Sequence, residues 1–169
     1  MTIKHLSLSL LTSLLIFTAV SCNKDTEETT PLTNEQNIQI ALNEFVAMLI
    51  ANPPTDADIS GRVKAYLQAH PTYFFGSTVA MLDSAGLATY SPYWYRSGDS
   101  LLLSDLAADT SYHINDQYWL RQPIDSGIAI WTPPYFDAGG GNINMKTRSV
   151  PVVINGNIIA VATTDLSLE

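Results

Sequence analysis

Apolar residues recur three and four apart in the segment after residue 33, and at every second position in the last forty or so residues. Ile38, Leu42, Phe45, Val46, Leu49 and Ile50 make one helical face. Thr33-Asn-Glu-Gln36 supplies a capping box ahead of it. Asn52-Pro53-Pro54 stops it, because proline has no amide to donate and clashes with the preceding turn. A second helix opens at Thr55 or Asp56, carries Ile59, Val63, Tyr66 and Leu67 on one face, and closes at Pro71.

β-rich sequence follows. Tyr73 to Asp83 and Leu87 to Tyr95 form a hairpin across the Asp83-Ser-Ala-Gly86 turn, with a break at Ser91-Pro92. Leu101 to Ala108 reads as a short helix after Ser97-Gly98-Asp99. Thr110 to Gln122 reads as an aromatic loop or a short helix. Ile128 to Trp131 is a strand. Ser149 to Ile154 and Asn157 to Asp165 pair across Asn155-Gly156, the strongest two-residue hairpin signal. Two helices ahead of about five antiparallel strands predict an α+β domain over residues 34–169.

The segment Trp131 to Pro151 stands out. Pro133 and Pro134 exclude helix, Gly139-Gly140-Gly141 permits a sharp turn, and Ile143, Met145 and Thr147 then alternate as a strand. The loop places Tyr135 and Asp137 between strands. It is either a hairpin with core aromatics or the lining of a small pocket.

The chain start changes the domain picture. Leu6 to Val20 is an apolar run of signal-peptide length, ending in Ala19-Val20-Ser21-Cys22. This resembles a lipobox, with Cys22 as the acylated residue, so residues 1–21 read as a lipoprotein signal peptide. Residues 22–33 are polar and aperiodic, and read as a flexible tether. The expected location is the cell envelope, lipid-anchored at the outer membrane on its periplasmic or surface face. Cys22 is the only cysteine, so a disulfide framework within the chain and a cysteine-based metal site are excluded.

Without residues 1–21 the chain keeps seven Lys+Arg against sixteen Asp+Glu, a net charge of −9. That argues against nucleic acid as a partner. No nucleophile elbow is present, and His70 and His113 are isolated, so neither a catalytic nucleophile–base pair nor a metal cluster is expected. Gly139-Gly140-Gly141 lacks the Lys-Ser/Thr of a phosphate loop and leads into a strand. What remains is a mixture of Tyr93, Tyr95, Trp119, Trp131 and Tyr135 with Arg96, Arg121, Asp137 and Asp165, suited to binding a small polar molecule.

Tyr112-x6-Trp119-x3-Pro123, Trp131-Thr-Pro-Pro-Tyr135-Phe-Asp137, Met145-x-Thr147-x-Ser149-x-Pro151 and Ala160-Val161-x3-Asp165-Leu-Ser-Leu168 together resemble a Cache domain. This is the PAS-like extracytoplasmic sensor module of chemoreceptors, histidine kinases and bacterial serine phosphatases, and the phosphatase-associated version is similar in Trp-x-x-Pro-Tyr-Phe-Asp. The resemblance implies a ligand pocket between sheet and loops, with Trp119, Trp131, Tyr135, Asp137 and Asp165 in contact, joined by Tyr93 and Arg96. Amino-acid-binding members carry an Arg two residues before a Trp-Tyr pair. Here Gln117 and Trp119-Leu120 stand there, which argues against bidentate capture of an α-carboxylate. The resemblance also implies a membrane receptor, kinase or transporter that receives the signal. The alternative is a protein-interaction or structural lipoprotein with a degenerate pocket.

Overall fold

The computed structural model of the chain describes residues 31–169. Residues 1–30, which hold the expected signal peptide, Cys22 and most of the expected tether, lie outside the described residues. Leu32–Glu169 form one contact unit.

Helix α1 (Asn34–Ala51) starts where its capping box predicts: the Gln36 amide donates to Thr33 Oγ1 over 3.2 Å, and the Thr33 amide donates to Gln36 Oε1 over 2.8 Å. Helix α2 (Ile59–Gln68) starts later than expected. Asp58 turns back to accept from the amide and hydroxyl of Thr55, which absorbs residues 55–58 into a turn. His70 Nδ1 meets the Tyr66 carbonyl at 2.7 Å, so the imidazole caps the C-terminus of α2.

The sheet has eight strands: β1 (Phe74–Leu82), β2 (Ala88–Tyr90), β3 (Pro92–Ser97), β4 (Ser100–Asp105), β5 (Ile130–Trp131), β6 (Tyr135–Phe136), β7 (Asn144–Ile154) and β8 (Asn157–Ser167). They pair antiparallel in the order β4-β3-β1-β8-β7-β5, with β2 beside β1 and β6 beside β7. The expected five strands become eight because Ser91-Pro92 divides one strand into two, because Ser100–Asp105 form a strand where a helix was expected, and because Tyr135–Phe136 pair with β7 where no apolar run announces them. Leu101 to Ala108 is not a helix. Ser97-Gly98-Asp99 is a hairpin turn, and Ser100–Asp105 pair with Pro92–Ser97 as β4. Thr110 to Gln122 resolves into a 3-10 turn (Ile114–Asp116) and helix α3 (Tyr118–Ser126).

Both faces of the central strands are buried, and side-chain alternation sorts them. Ala160, Ala162 and Leu166 of β8 pack with Phe74, Val79, Val150 and Val152 under α1 and α2. The buried Tyr66 hydroxyl reaches Thr164 Oγ1 at 2.9 Å, tying α2 to that face. Val161 turns the other way, with Ala80, Tyr93, Tyr112, Trp119 and Leu120 under α3 and the loops. Thr163 and Asp165 follow Val161 on this second face. The helix face is a plain apolar core. The second face places hydroxyls and carboxylates among aromatic rings.

Candidate functional site

Asp165 sits opposite Thr147 of β7 and Gly76 of β1. The Thr147 hydroxyl donates to Asp165 Oδ1 over 2.7 Å and lies 2.8 Å from the Tyr135 hydroxyl. A threonine has one hydroxyl proton, so Tyr135 donates to Thr147 and Thr147 to Asp165. A second chain ends on Asp137: Trp119 Nε1 donates to the Tyr112 hydroxyl over 3.1 Å, and that hydroxyl donates to Asp137 Oδ1 over 2.8 Å.

The glycine turn is the seat of Asp137. The Gly141 amide donates to Asp137 Oδ2 over 2.8 Å. A Cβ at Gly140 would lie 1.9 Å from the same oxygen, so the carboxylate occupies the space a side chain would need. Tyr93 comes from β3 and lies over Gly76, where a Cβ would fall 2.3 Å from its hydroxyl. That hydroxyl is buried, faces the two carboxylates, and has no hydrogen-bond partner of good geometry.

Burial dominates the electrostatics. It pushes the Asp165 carboxyl up to about 7, against the Thr147 and Tyr93 hydroxyls that lower it, while the negative charge of Asp137 raises it further. Burial also raises Asp137, partly offset by the Gly141 amide and the Tyr112 hydroxyl. Burial and the same two carboxylates hold Tyr93, Tyr112 and Tyr135 well above the ordinary phenol range, so all three remain protonated donors.

These groups line an inner hollow of about 10 Å³, bounded by Tyr93, Tyr112, Trp119, Tyr135, Asp137 and Asp165. Trp119 and Tyr135 also wall an outer vestibule of about 250 Å³, completed by Gln117, Tyr118, Thr132, Pro133 and Pro134. Two of the residues expected at the pocket lie elsewhere. Arg96 alternates to the helix face, where it donates to the carbonyls of Phe74, Leu67 and His70, each over 2.8 Å. Trp131 packs against the helix-side core, with Lys146 Nζ 5.5 Å from its ring centroid. The strand period is the reason: Tyr93 and Arg96 are an odd number of residues apart on β3, so only one of them reaches the second face.

The structure adds Tyr112, Thr147 and Thr163 to the site. Thr163 was legible as the residue two before Asp165. Thr147 was expected to be strand packing, and its role depends on a cross-strand register that sequence does not display.

No basic side chain lines either cavity among the described residues. Arg62 bonds the Asn52 carbonyl, Lys64 covers Trp94, Arg121 bonds the Gly86 carbonyl and Asp125, and Lys146 pairs with Glu35. Arg148 shares the parity of Lys146 on β7. No group of three or more His, Cys, Asp or Glu converges as a metal site among the described residues. No helix there is long and apolar enough to cross a membrane.

Comparison with solved structures returns extracellular sensor domains. The extracellular domain of soHK1S-Z6, described as a histidine kinase, is 26% identical with a TM-score of 0.69, over 79% of this chain and 53% of that one. The ligand-binding domain of the Campylobacter jejuni chemoreceptor Tlp3 in complex with L-valine is 18% identical with a TM-score of 0.59, over 79% and 51%. The ligand-binding domain of the Pseudomonas aeruginosa amino acid chemoreceptor PctC in complex with GABA is 18% identical with a TM-score of 0.54, over 79% and 57%. At 18% identity the likeness is one of fold. The chain spans between half and three fifths of these chains. No curated protein matches it significantly. The model of the first PDC sensor domain of methyl-accepting chemotaxis protein-like proteins matches residues 59–169. The chain therefore belongs to that family of PDC sensor domains, the PAS-like fold the Cache resemblance pointed to.

Proposed function

We propose that the domain binds a small organic cation at Asp137 and Asp165, and that acylation of Cys22 anchors it in the cell envelope. The observation behind the ligand class is the charge of the pocket. Two buried carboxylates face one hollow whose other polar groups are protonated hydroxyls, and among the described residues no basic side chain neutralises them. Buried charge is costly unless paired, so the missing partner is a ligand that brings positive charge. Tyr93, Trp119 and Tyr135 present aromatic surface suited to an ammonium group. The L-valine and GABA of the chemoreceptor complexes both carry an ammonium, together with a carboxylate for which this pocket has no basic partner among the described residues. Arg96 and Trp131 then serve the fold, and the contacts fall to Tyr93, Trp119, Tyr135, Asp137 and Asp165. A membrane receptor, kinase or transporter reads the bound state.

A thermal-shift screen at pH 8 with amines, organic acids, purines and amino acids tests this. Amines raise the melting temperature and simple organic acids do not, because a ligand that binds only the native state stabilises it. Loss of fatty-acid labelling in Cys22→Ser tests the anchor.

A second reading, a protein-interaction domain with a closed pocket, draws on the inner hollow of only about 10 Å³. Co-purification of a membrane partner that survives Asp137→Ala and Tyr135→Ala, with no amine-induced shift, would favour it.

A further inference from the structure

We infer that the ligand is a primary amine with an apolar body and no carboxylate, its ammonium in the inner hollow and its body in the vestibule against Pro133, Pro134 and Tyr118. This rests on the cation reading above and adds where each part of the molecule lies.

Size sets the inner end. About 10 Å³ is close to the least space that holds one water-sized group, which fits a single ammonium and excludes the three heavy atoms of a carboxylate. Its acceptors are carboxylates, and the Tyr93 hydroxyl, 2% exposed and near Asp165 without a hydrogen bond of good geometry, lines the same space. The ammonium offers three donors and no acceptor, so it suits the two carboxylates and can also give to the Tyr93 oxygen.

The vestibule sets the outer end. It has a volume of about 250 Å³, shares Trp119 and Tyr135 with the inner hollow, and is lined mostly by ring-bearing side chains. The one amide side chain there, Gln117, already donates through Nε2 to the Tyr112 carbonyl over 2.8 Å. A carboxylate on the ligand would sit near Asp137 and Asp165 without a cation to answer it. An apolar body would lose water against Pro133, Pro134 and Tyr118 instead.

Titration calorimetry of the purified protein at pH 8 with methylamine, 2-phenylethylamine and L-phenylalanine separates the parts. The expected order places 2-phenylethylamine roughly tenfold or more tighter than methylamine, from burial of the ring. L-phenylalanine, the same molecule with a carboxylate added, binds roughly tenfold or more weaker than 2-phenylethylamine. Tyr118 is 53% exposed, so Tyr118→Ala should fold. It weakens 2-phenylethylamine and leaves methylamine unchanged. Equal affinity for L-phenylalanine and 2-phenylethylamine overturns the exclusion of carboxylate. Equal affinity for methylamine and 2-phenylethylamine, or insensitivity to Tyr118→Ala, overturns the placement of the body. Both of those results leave the cation reading standing. Absence of heat with every amine overturns the cation reading itself.

Discussion

The Thr147 hydroxyl donates its only proton to Asp165 Oδ1 over 2.7 Å and accepts from Tyr135 over 2.8 Å, so one β7 side chain couples a carboxylate on β8 to a phenol on β6. Replacing it by valine keeps the branched shape and removes both bonds. Thr147→Val should push the Asp165 carboxyl above its native value of about 7, because the hydroxyl is a group that lowers it. It also leaves the Tyr135 hydroxyl without an acceptor, at a cost of about 1–3 kcal/mol. The checks are a carboxyl-carbon NMR titration of Asp165 and urea unfolding at pH 6.

Asp165 also makes stability depend on pH in an unusual direction. Its folded pKa of about 7 lies above its ordinary 3.8, so the folded chain binds more protons than the unfolded one between those values. Stability is therefore fully present below about pH 4 and is lost as pH rises through about 7, by an amount on the order of a few kcal/mol. Asp137 pulls the same way. Asp58 and Asp109, exposed and lowered by their hydrogen bonds, pull gently the other way below pH 4. A melting-temperature profile from pH 4 to 8 should fall for the native chain and flatten in Asp165→Asn. Amine affinity should run opposite, rising as pH passes through about 7, because the ligand selects the ionised carboxylate. A native profile that stays level, or an Asn variant that still falls as steeply, would remove Asp165 as the source.

Arg96 illustrates how far the sequence could be read. The capping box, the Asn155-Gly156 hairpin and the Asp137 loop follow from short-range chemistry, and each appears where the residues indicate. The assignment of side chains to faces needs one more fact, the parity along each strand. Counting from Tyr93, residue 95 shares its face while Trp94 and Arg96 take the other, so Tyr93 and the Arg96 guanidinium were never available to one ligand. Thr147 was out of reach because its partners, Tyr135 and Asp165, are fixed by register between three strands. The division of the strands likewise depends on β7 being long enough to take β5 and β6 along one edge.

If Arg96 is a clamp on the α2–β1 corner, removing it should act on stability and not on binding. Arg96→Met keeps most of the stem and strips the guanidinium from three carbonyl partners. A loss of about 2–4 kcal/mol in urea unfolding is expected, with amine affinity per folded molecule unchanged. A selective loss of affinity with stability intact would return Arg96 to the pocket.

Gly140 gives a test of how the glycine turn holds Asp137. A methyl group there meets the carboxylate oxygen at 1.9 Å, so Gly140→Ala must push Asp137 off the Gly141 amide. Amine affinity should fall roughly tenfold or more, as expected when a charge-assisted contact worth about 1.5–3 kcal/mol is displaced. Gly61 is the control: it sits within α2 with nothing within 4 Å of an added Cβ. Gly61→Ala should stabilise by about 0.5–1 kcal/mol through helix propensity and leave binding untouched.

Gln117 lines the vestibule at its polar corner, and its Nε2 is spent on the Tyr112 carbonyl. It is also the position at which the Cache resemblance leads one to expect an Arg in a binder of amino acids. Gln117→Arg keeps a donor able to reach that carbonyl and adds the one feature the pocket lacks, a guanidinium that a ligand carboxylate can meet bidentately. The added charge also opposes a bare amine, because it competes for Asp137 and Asp165. The variant should bind L-phenylalanine more tightly than the native chain and 2-phenylethylamine less tightly. A crossing of the two affinities is a sharper result than either loss alone, since a damaged pocket would weaken both ligands together.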